Sequence, residues 1–454
     1  MNYRESVIDL VGGTPLVRLG RVCAGVRPLV LAKLEYLNPG GSVKDRIALG
    51  MVRAAEMSGD LSPGGTIIEP TSGNTGVALA MIAALRGYQC LFTCPDKVSP
   101  ERINLLRAYG AEVVICPATV PADHRDFYRN VARRLAAERP DACLLDQYAN
   151  PANPRAHFLS TGPEIWEQTG GGITHLVAGL GTGGTLSGAG RYLKQVSGGT
   201  VAVIGADPDG SAYTCDTVRP YLLEGVGQPF PPKAYDPGVA DELIAVTDKD
   251  ALAMTRRLAR EEAILTGGSG GMAVAAALTV AARLGDDAVV VVVIPDSGRG
   301  YVSKIFNDDW MMRRGFSVGA AQGPSAQDPF PGRHWSREVP WLAPDDTIRT
   351  ALAVLREHRL PAAPVTKARP PVRLAEVLGR VSGPRLKQVL ASEEADVDDP
   401  VRGHMEPPPA FAGIGQPPAD ARALIGGGDI ALILDGGIVC GMVTRSELIC
   451  AFTT

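Results

Sequence analysis

The sequence predicts an α/β fold with mostly parallel sheets, followed by a separate smaller domain. Three observations carry this. Short apolar runs alternate with longer helical patterns between residues 30 and 295, as in successive strand–helix–strand units. The run "DAVVVVVIPD" is almost entirely Ala, Val and Ile, as expected of a central strand buried on both faces. After Phe316 the composition changes to "SVGAAQGPSAQDPFPGRHW", rich in Gly, Pro, Ser and Gln without an apolar period, which reads as a linker.

In chain order, "LVLAKLE" reads as a strand. "VKDRIALGMVRAAEM" reads as a helix, with Ile47, Met51, Ala54 and Ala55 at helical spacing. "TIIEP" is a strand, and "NTGVALAMIAALRG" a helix ended by Gly87. "QCLFTCP", "SPERINLLRAYG" and "AEVVICP" continue the alternation, followed by "HRDFYRNVARRLAAER", "THLVAGLG", "GTLSGAGRYLKQV" and "VAVIGADP". "DALAMTRRLAREEA" and "GGMAVAAALTVAARLG" are helices that lead into the last apolar strand. The domain boundaries expected are 1–316, a linker over 317–335, and 336–454.

A chain of 454 residues has room for two or three domains. Its 45% hydrophobic and 21% charged content is that of a soluble globular protein. A net charge of −4 gives no electrostatic reason to expect nucleic acid or anionic lipid as partner. No apolar run reaches the length of a membrane span, and "MNYRESVIDL" carries charge where a signal peptide needs an apolar core. A cytoplasmic location is expected. None of the eight cysteines forms a C-x-x-C pair, so reduced, mostly buried thiols are expected and no metal site.

Three glycine-rich segments stand at helix starts: "PTSGNTG", "GLGTGGTLSG" and "TGGSGG". Helix N-termini expose unpaired N–H groups and suit anions, and glycine lets the backbone approach a phosphate or carboxylate closely. The second segment is no P-loop, because no G-K-[ST] follows, and it fails the dinucleotide fingerprint. Pyridoxal 5′-phosphate fits better. It needs a phosphate cradle, a lysine and a partner for its pyridine nitrogen. "NPGGSVKDR", "GTGGT" and "PDSGRGY" could supply all three. Seen alone, Lys44 would read as a solvated surface lysine.

The motifs "NPGGSVKDR", "EPTSGNTG", "GTGGT" and "PDSGRGY" match, in identity, order and spacing, those of the fold-type II pyridoxal-phosphate enzymes of the cysteine synthase and cystathionine β-synthase family. The resemblance covers residues 4–316. It implies two α/β subdomains of the tryptophan synthase β type. It implies that Lys44 forms the Schiff base and acts as general base at Cα. Gly181, Thr182, Gly183, Gly184 and Thr185 would cradle the phosphate, Asn74 would bond the ring hydroxyl oxygen, and Ser297 would meet the pyridine nitrogen. Thr71, Ser72, Gly73 and Thr75 would bind the substrate carboxylate, with Tyr148, Gly225 and Gly227 lining the substrate side. A neutral Ser297 suits α,β-elimination through an aminoacrylate followed by addition of a nucleophile. Gln228 stands where the family has an aromatic or small residue, which leaves the second substrate open.

"SKIFNDDWMMRRGF" and the extra C-terminal domain resemble the cystathionine β-synthase branch, which implies condensation of L-serine, or an activated serine, with L-homocysteine. The alternatives are an O-acetylserine or O-phosphoserine sulfhydrylase and a specialised β-replacement enzyme. A sensor built on a dead enzyme is the non-catalytic reading. Residues 336–454 resemble a pair of Bateman repeats, with Thr444 and Glu447 at the positions that imply an adenosyl ligand such as S-adenosylmethionine. No haem is expected, since the haem-bearing extension is lacking. A homodimer or homotetramer is the expected assembly.

Overall fold

The computed structural model describes all residues except 2, 97, 99, 118–119, 121–122, 317–338, 415–427 and 448–454. The linker expected over 317–335 therefore lies outside the described residues. The chain divides into two compact units, Met1–Gly300 and Tyr301–Thr454.

The first unit holds two sheets. One has six strands in the order β1 (Leu16–Arg18), β2 (Leu29–Leu34), β10 (Val289–Ile294), β7 (His175–Gly179), β8 (Ala202–Pro208), β9 (Glu242–Val246). All neighbours are parallel except β1, which pairs antiparallel with β2. The valine-rich β10 lies between β2 and β7, and five of its six residues are buried. The other sheet is parallel throughout, in the order β5 (Glu112–Cys116), β4 (Gln89–Pro95), β3 (Thr66–Glu69), β6 (Ala142–Leu144). The alternation in the sequence thus splits into two sheets, each with its own apolar core. Strands β1, β6 and β9 were not expected. β1 and β6 are three residues long, and β9 is an edge strand, partly exposed and of mixed polarity.

Among the described residues, nine α-helices accompany these sheets: α1 (Lys44–Ser58), α2 (Asn74–Arg86), α3 (Pro100–Ala108), α4 (Tyr128–Glu138), α5 (Ala152–Leu159), α6 (Thr161–Gln168), α7 (Gly184–Val196), α8 (Asp248–Glu261) and α9 (Gly268–Ala281). In α1, Ile47, Met51 and Ala55 are buried as the periodicity requires. Gly87 ends α2 in the left-handed conformation, at φ 77°.

In the second unit, α10 (Asp308–Arg313) precedes α11 (Ile348–Glu357), β11 (Ala362–Thr366), β12 (Val377–Ser382) and α12 (Gly383–Ala391). β13 (Ala410–Gly413), β14 (Ile430–Asp435) and β15 (Ile438–Thr444) follow. β11 and β12 form an antiparallel pair, and β13-β14-β15 a three-stranded sheet. Gly436 and Gly437 turn the β14–β15 hairpin with positive φ at both positions, as a two-residue loop demands. Tyr301–Phe316 belong to this unit, where Gly436 and Gly437 donate to the carbonyls of Gly315 and Arg314 at 3.0 and 2.8 Å.

Candidate active site

Lys44 is the first residue of α1, and the end of the central strand fixes its position. Val43 N–H donates to Pro295 O at 2.8 Å, and Ser42 bridges Asp296. The motif around residue 44 therefore lies beside the motif around residue 297. The Lys44 side chain is only partly exposed and is densely surrounded by protein. Burial lowers its pKa below the ordinary 10.5, against the pull of Asp296. Asp296 also accepts from Asn74 Nδ2 at 2.8 Å, so it ties α2 to the end of β10. Ser297 bridges Thr266, and its Oγ accepts from Arg299 N–H at 3.3 Å.

The "PTSG" turn leads β3 into α2. Thr71 is buried, Ser72 and Gly73 are partly exposed, and Thr75 Oγ1 donates to Gln147 Oε1 at 2.7 Å. Asp146, Gln147 and Tyr148 follow β6, and Glu69 holds the first two. Its two oxygens accept from Asp146 N–H at 2.9 Å and Gln147 N–H at 3.1 Å. Burial pushes the Glu69 carboxyl up to about 7. Tyr148 is half-buried by exposure yet packed on nearly all sides, and burial raises its hydroxyl to about 12.

The "GTGGT" loop joins β7 to α7, whose first turn has N–H groups with no intrahelical acceptor. Side chains are excluded along it. A Cβ on Gly181 would meet the Gly225 carbonyl, one on Gly183 would meet Tyr235, and one on Gly184 would meet Asn153. Gly183 also has φ 79°. Both threonine hydroxyls are positioned from α5. Thr182 Oγ1 accepts from Asn153 Nδ2 at 2.9 Å, and Thr185 Oγ1 lies 3.1 Å from His157 Nε2. His157 Nδ1 is 2.8 Å from Thr161 Oγ1. Burial first, then the charges of Arg46 and Lys44, hold its pKa well below 6.5, so the ring is neutral. Gly227 N–H donates to Leu180 O at 2.6 Å, so the Gly225–Gly227 turn packs against the cradle.

Bare backbone N–H groups, two hydroxyls, a lysine able to lose its proton and a neutral serine fit pyridoxal 5′-phosphate. Asn153 and His157 escaped the sequence reading. The polar spacing within "ANPRAHFL" was their only local signal, and their targets are 28 or 29 residues away. Gly184→Ala should raise the cofactor dissociation constant about 10-fold, because the methyl group has nowhere to go. Cofactor titration of the stripped protein checks this, and an unchanged constant would contradict the cradle.

Thr444 and Glu447 are hydrogen-bonded to one another. Glu447 Oε2 accepts from Thr444 N–H and Oγ1, both at 2.9 Å, and Thr444 Oγ1 accepts from Glu447 N–H at 3.3 Å. This is a helix-capping box.

A sequence profile of the family described as pyridoxal-phosphate dependent enzyme matches residues 7–296. The chain is 39% identical over 409 residues to a cystathionine beta-synthase of Mus musculus, covering 87% of this chain and 71% of that protein. Among solved structures, O-ureido-L-serine synthase is 38% identical with a TM-score of 0.64, covering 68% of this chain and 96% of that one. A hydrogen sulfide-producing enzyme from Fusobacterium nucleatum is 35% identical with a TM-score of 0.63, covering 66% and 99%.

Proposed function

This chain belongs to the cystathionine β-synthase family of pyridoxal-phosphate dependent enzymes, and from that premise we propose that it condenses L-serine, or an activated serine, with L-homocysteine to L-cystathionine. The Lys44 amine carries the reading. It is desolvated, partly exposed, and placed next to the segment that holds Ser297. Such an amine can be neutral near pH 7 and so accept a proton.

Pyridoxal 5′-phosphate, when bound, supplies the electron-withdrawing ring that makes a substrate α-proton removable. Residues 181–185 would hold its phosphate, and Asn74 would bond its ring hydroxyl oxygen. Ser297 would face the pyridine nitrogen. A hydroxyl there does not keep that nitrogen protonated, which favours loss of a β-substituent over transamination. Thr71, Ser72, Gly73 and Thr75 would orient the serine carboxylate at the start of α2. Lys44 Nζ would take the α-proton and pass it to the departing β-oxygen, so that water leaves from serine. The homocysteine thiol gives up its proton as sulfur bonds the β-carbon, and Lys44 returns a proton to Cα. The balance is one C–O bond broken, one C–S bond formed and one water released.

The test is the visible spectrum of the purified holoenzyme. L-Serine should shift it, L-homocysteine should restore it, and L-cystathionine should appear by mass. A spectrum unmoved by L-serine but shifted by O-acetylserine or O-phosphoserine would replace this reading with a sulfhydrylase or a specialised β-replacement enzyme.

A further inference from the structure

Arg129 lies in the first turn of α4 on the four-stranded sheet. Its guanidinium carbon is 4.3 Å from the centroid of the Tyr148 ring and 4.8 Å from that of Phe230. The two rings are tilted at 59°, with centroids 6.2 Å apart. Phe230 belongs to the loop that follows β8 in the other sheet. The cation is thus held between aromatic groups carried by segments that follow strands of the two different sheets. Among the described residues its guanidinium has no hydrogen-bond acceptor and no ion-pair partner. Nearby arginines differ: Arg102 pairs with Glu224 at 2.5 Å, and Arg133 donates to Asn130 at 3.2 Å.

The placement runs against local preference. A cation in the first turn of a helix opposes the helix dipole. Stacking on two rings restricts the motion of the guanidinium, while its N–H edges stay available. A pre-positioned planar fork suits a carboxylate, which it can bind through two parallel hydrogen bonds. Tyr148, on which it stacks, directly follows Gln147, and Gln147 is bonded to Thr75 in the loop assigned to the first substrate's carboxylate. Arg129 is therefore linked to that loop through Tyr148 and its neighbour Gln147.

We infer that Arg129 binds the α-carboxylate of the second, thiol-bearing amino-acid substrate. The inference rests on the β-replacement reading above and deepens it. Two amino acids meet in this reaction, and each brings a carboxylate. The turn before α2 serves the first, and Arg129 serves the second. Inorganic sulfide has no carboxylate and gains nothing from this residue, so Arg129 biases the enzyme toward an amino-acid thiol.

The test compares L-homocysteine with 2-mercaptoethanol, a thiol without a carboxylate, in wild-type, Arg129→Met and Arg129→Lys holoenzymes at saturating L-serine. In Arg129→Met the ratio of the two kcat/KM values should shift about 10- to 100-fold against L-homocysteine, the range for loss of a charged hydrogen bond. The change should appear in KM. The dissociation constant of L-cystathionine, read by calorimetry, should rise by a similar factor. Arg129→Lys should recover part of each loss. An unchanged ratio would overturn the inference: Arg129 would then only brace Tyr148 and Phe230, or do nothing for either thiol. A loss confined to the KM of L-serine would overturn it by placing the residue on the first substrate. Wild-type turnover with 2-mercaptoethanol but not with L-homocysteine would defeat the cystathionine-forming reading first, and this assignment with it.

Discussion

Replacing Lys44 with alanine should lower turnover of L-serine and L-homocysteine by about 1,000-fold or more, the scale of a lost positioned base. The visible absorption that depends on this amine should disappear as well. The fold should survive, because Lys44 is partly exposed and makes no side-chain hydrogen bond or ion pair among the described residues. A thermal midpoint close to wild type, measured beside the steady-state rate, separates lost chemistry from lost structure. If a tenth of the activity remained, the proton would have to move through another group. If the protein kept its cellular role without turnover, a sensor built on a dead enzyme would be the better reading.

The second large effect is on stability. Arg46, two residues after Lys44, is almost fully buried between two carboxylates. It reaches Glu35 through Nε and Nη2 at 2.7 and 2.8 Å, and Glu164 through Nη1 and Nη2 at 2.7 and 2.8 Å. Lys33, also buried, donates to Glu164 at 2.7 Å and to Thr14 O at 2.6 Å. The cluster joins β2, α1 and α6, and so anchors the helix that begins with Lys44. Arg46→Met should cost about 3–5 kcal/mol, because it leaves buried Glu35 without its cation. Urea unfolding measures the loss, and Glu35→Gln combined with Arg46→Met should recover part of it. A single variant as stable as wild type would contradict this account.

The same cluster makes stability depend on acid. Arg46 and Lys33 outweigh desolvation and hold the Glu164 carboxyl at about 2, below its ordinary 4.5. A depressed carboxyl contributes stability above its unfolded value, so this contribution is complete above pH 4.5 and is lost as the pH falls toward 2. Unfolding midpoints across that window should fall less steeply in Glu164→Gln.

Much of the fold was legible because it follows from local pattern. The valine run in β10, the periodic apolar face of α1 and the glycine that ends α2 each report their own conformation through neighbours a few residues away. Short strands such as β1 and β6 are three residues long and gave no comparable pattern. Their pairing with β2 and β3 is what makes them strands.

The site divides in the same way. Lys44, Asn74, the glycines of 181–184 and Ser297 stand in motifs whose local geometry the chemistry dictates, so the sequence by itself determined which residues could take part. Only the tertiary structure decided what surrounds them. Asp296 meets Asn74 across 222 residues, and Glu69 supports a loop 77 residues away. Thr182 and Thr185 owe their orientation to α5, and Arg129 meets two rings carried by segments of different sheets. The reason is physical. Helix starts and glycine turns are set by interactions within a few residues. Desolvation, ion pairing and ring contact depend on chains brought together by folding, and no local spacing encodes them.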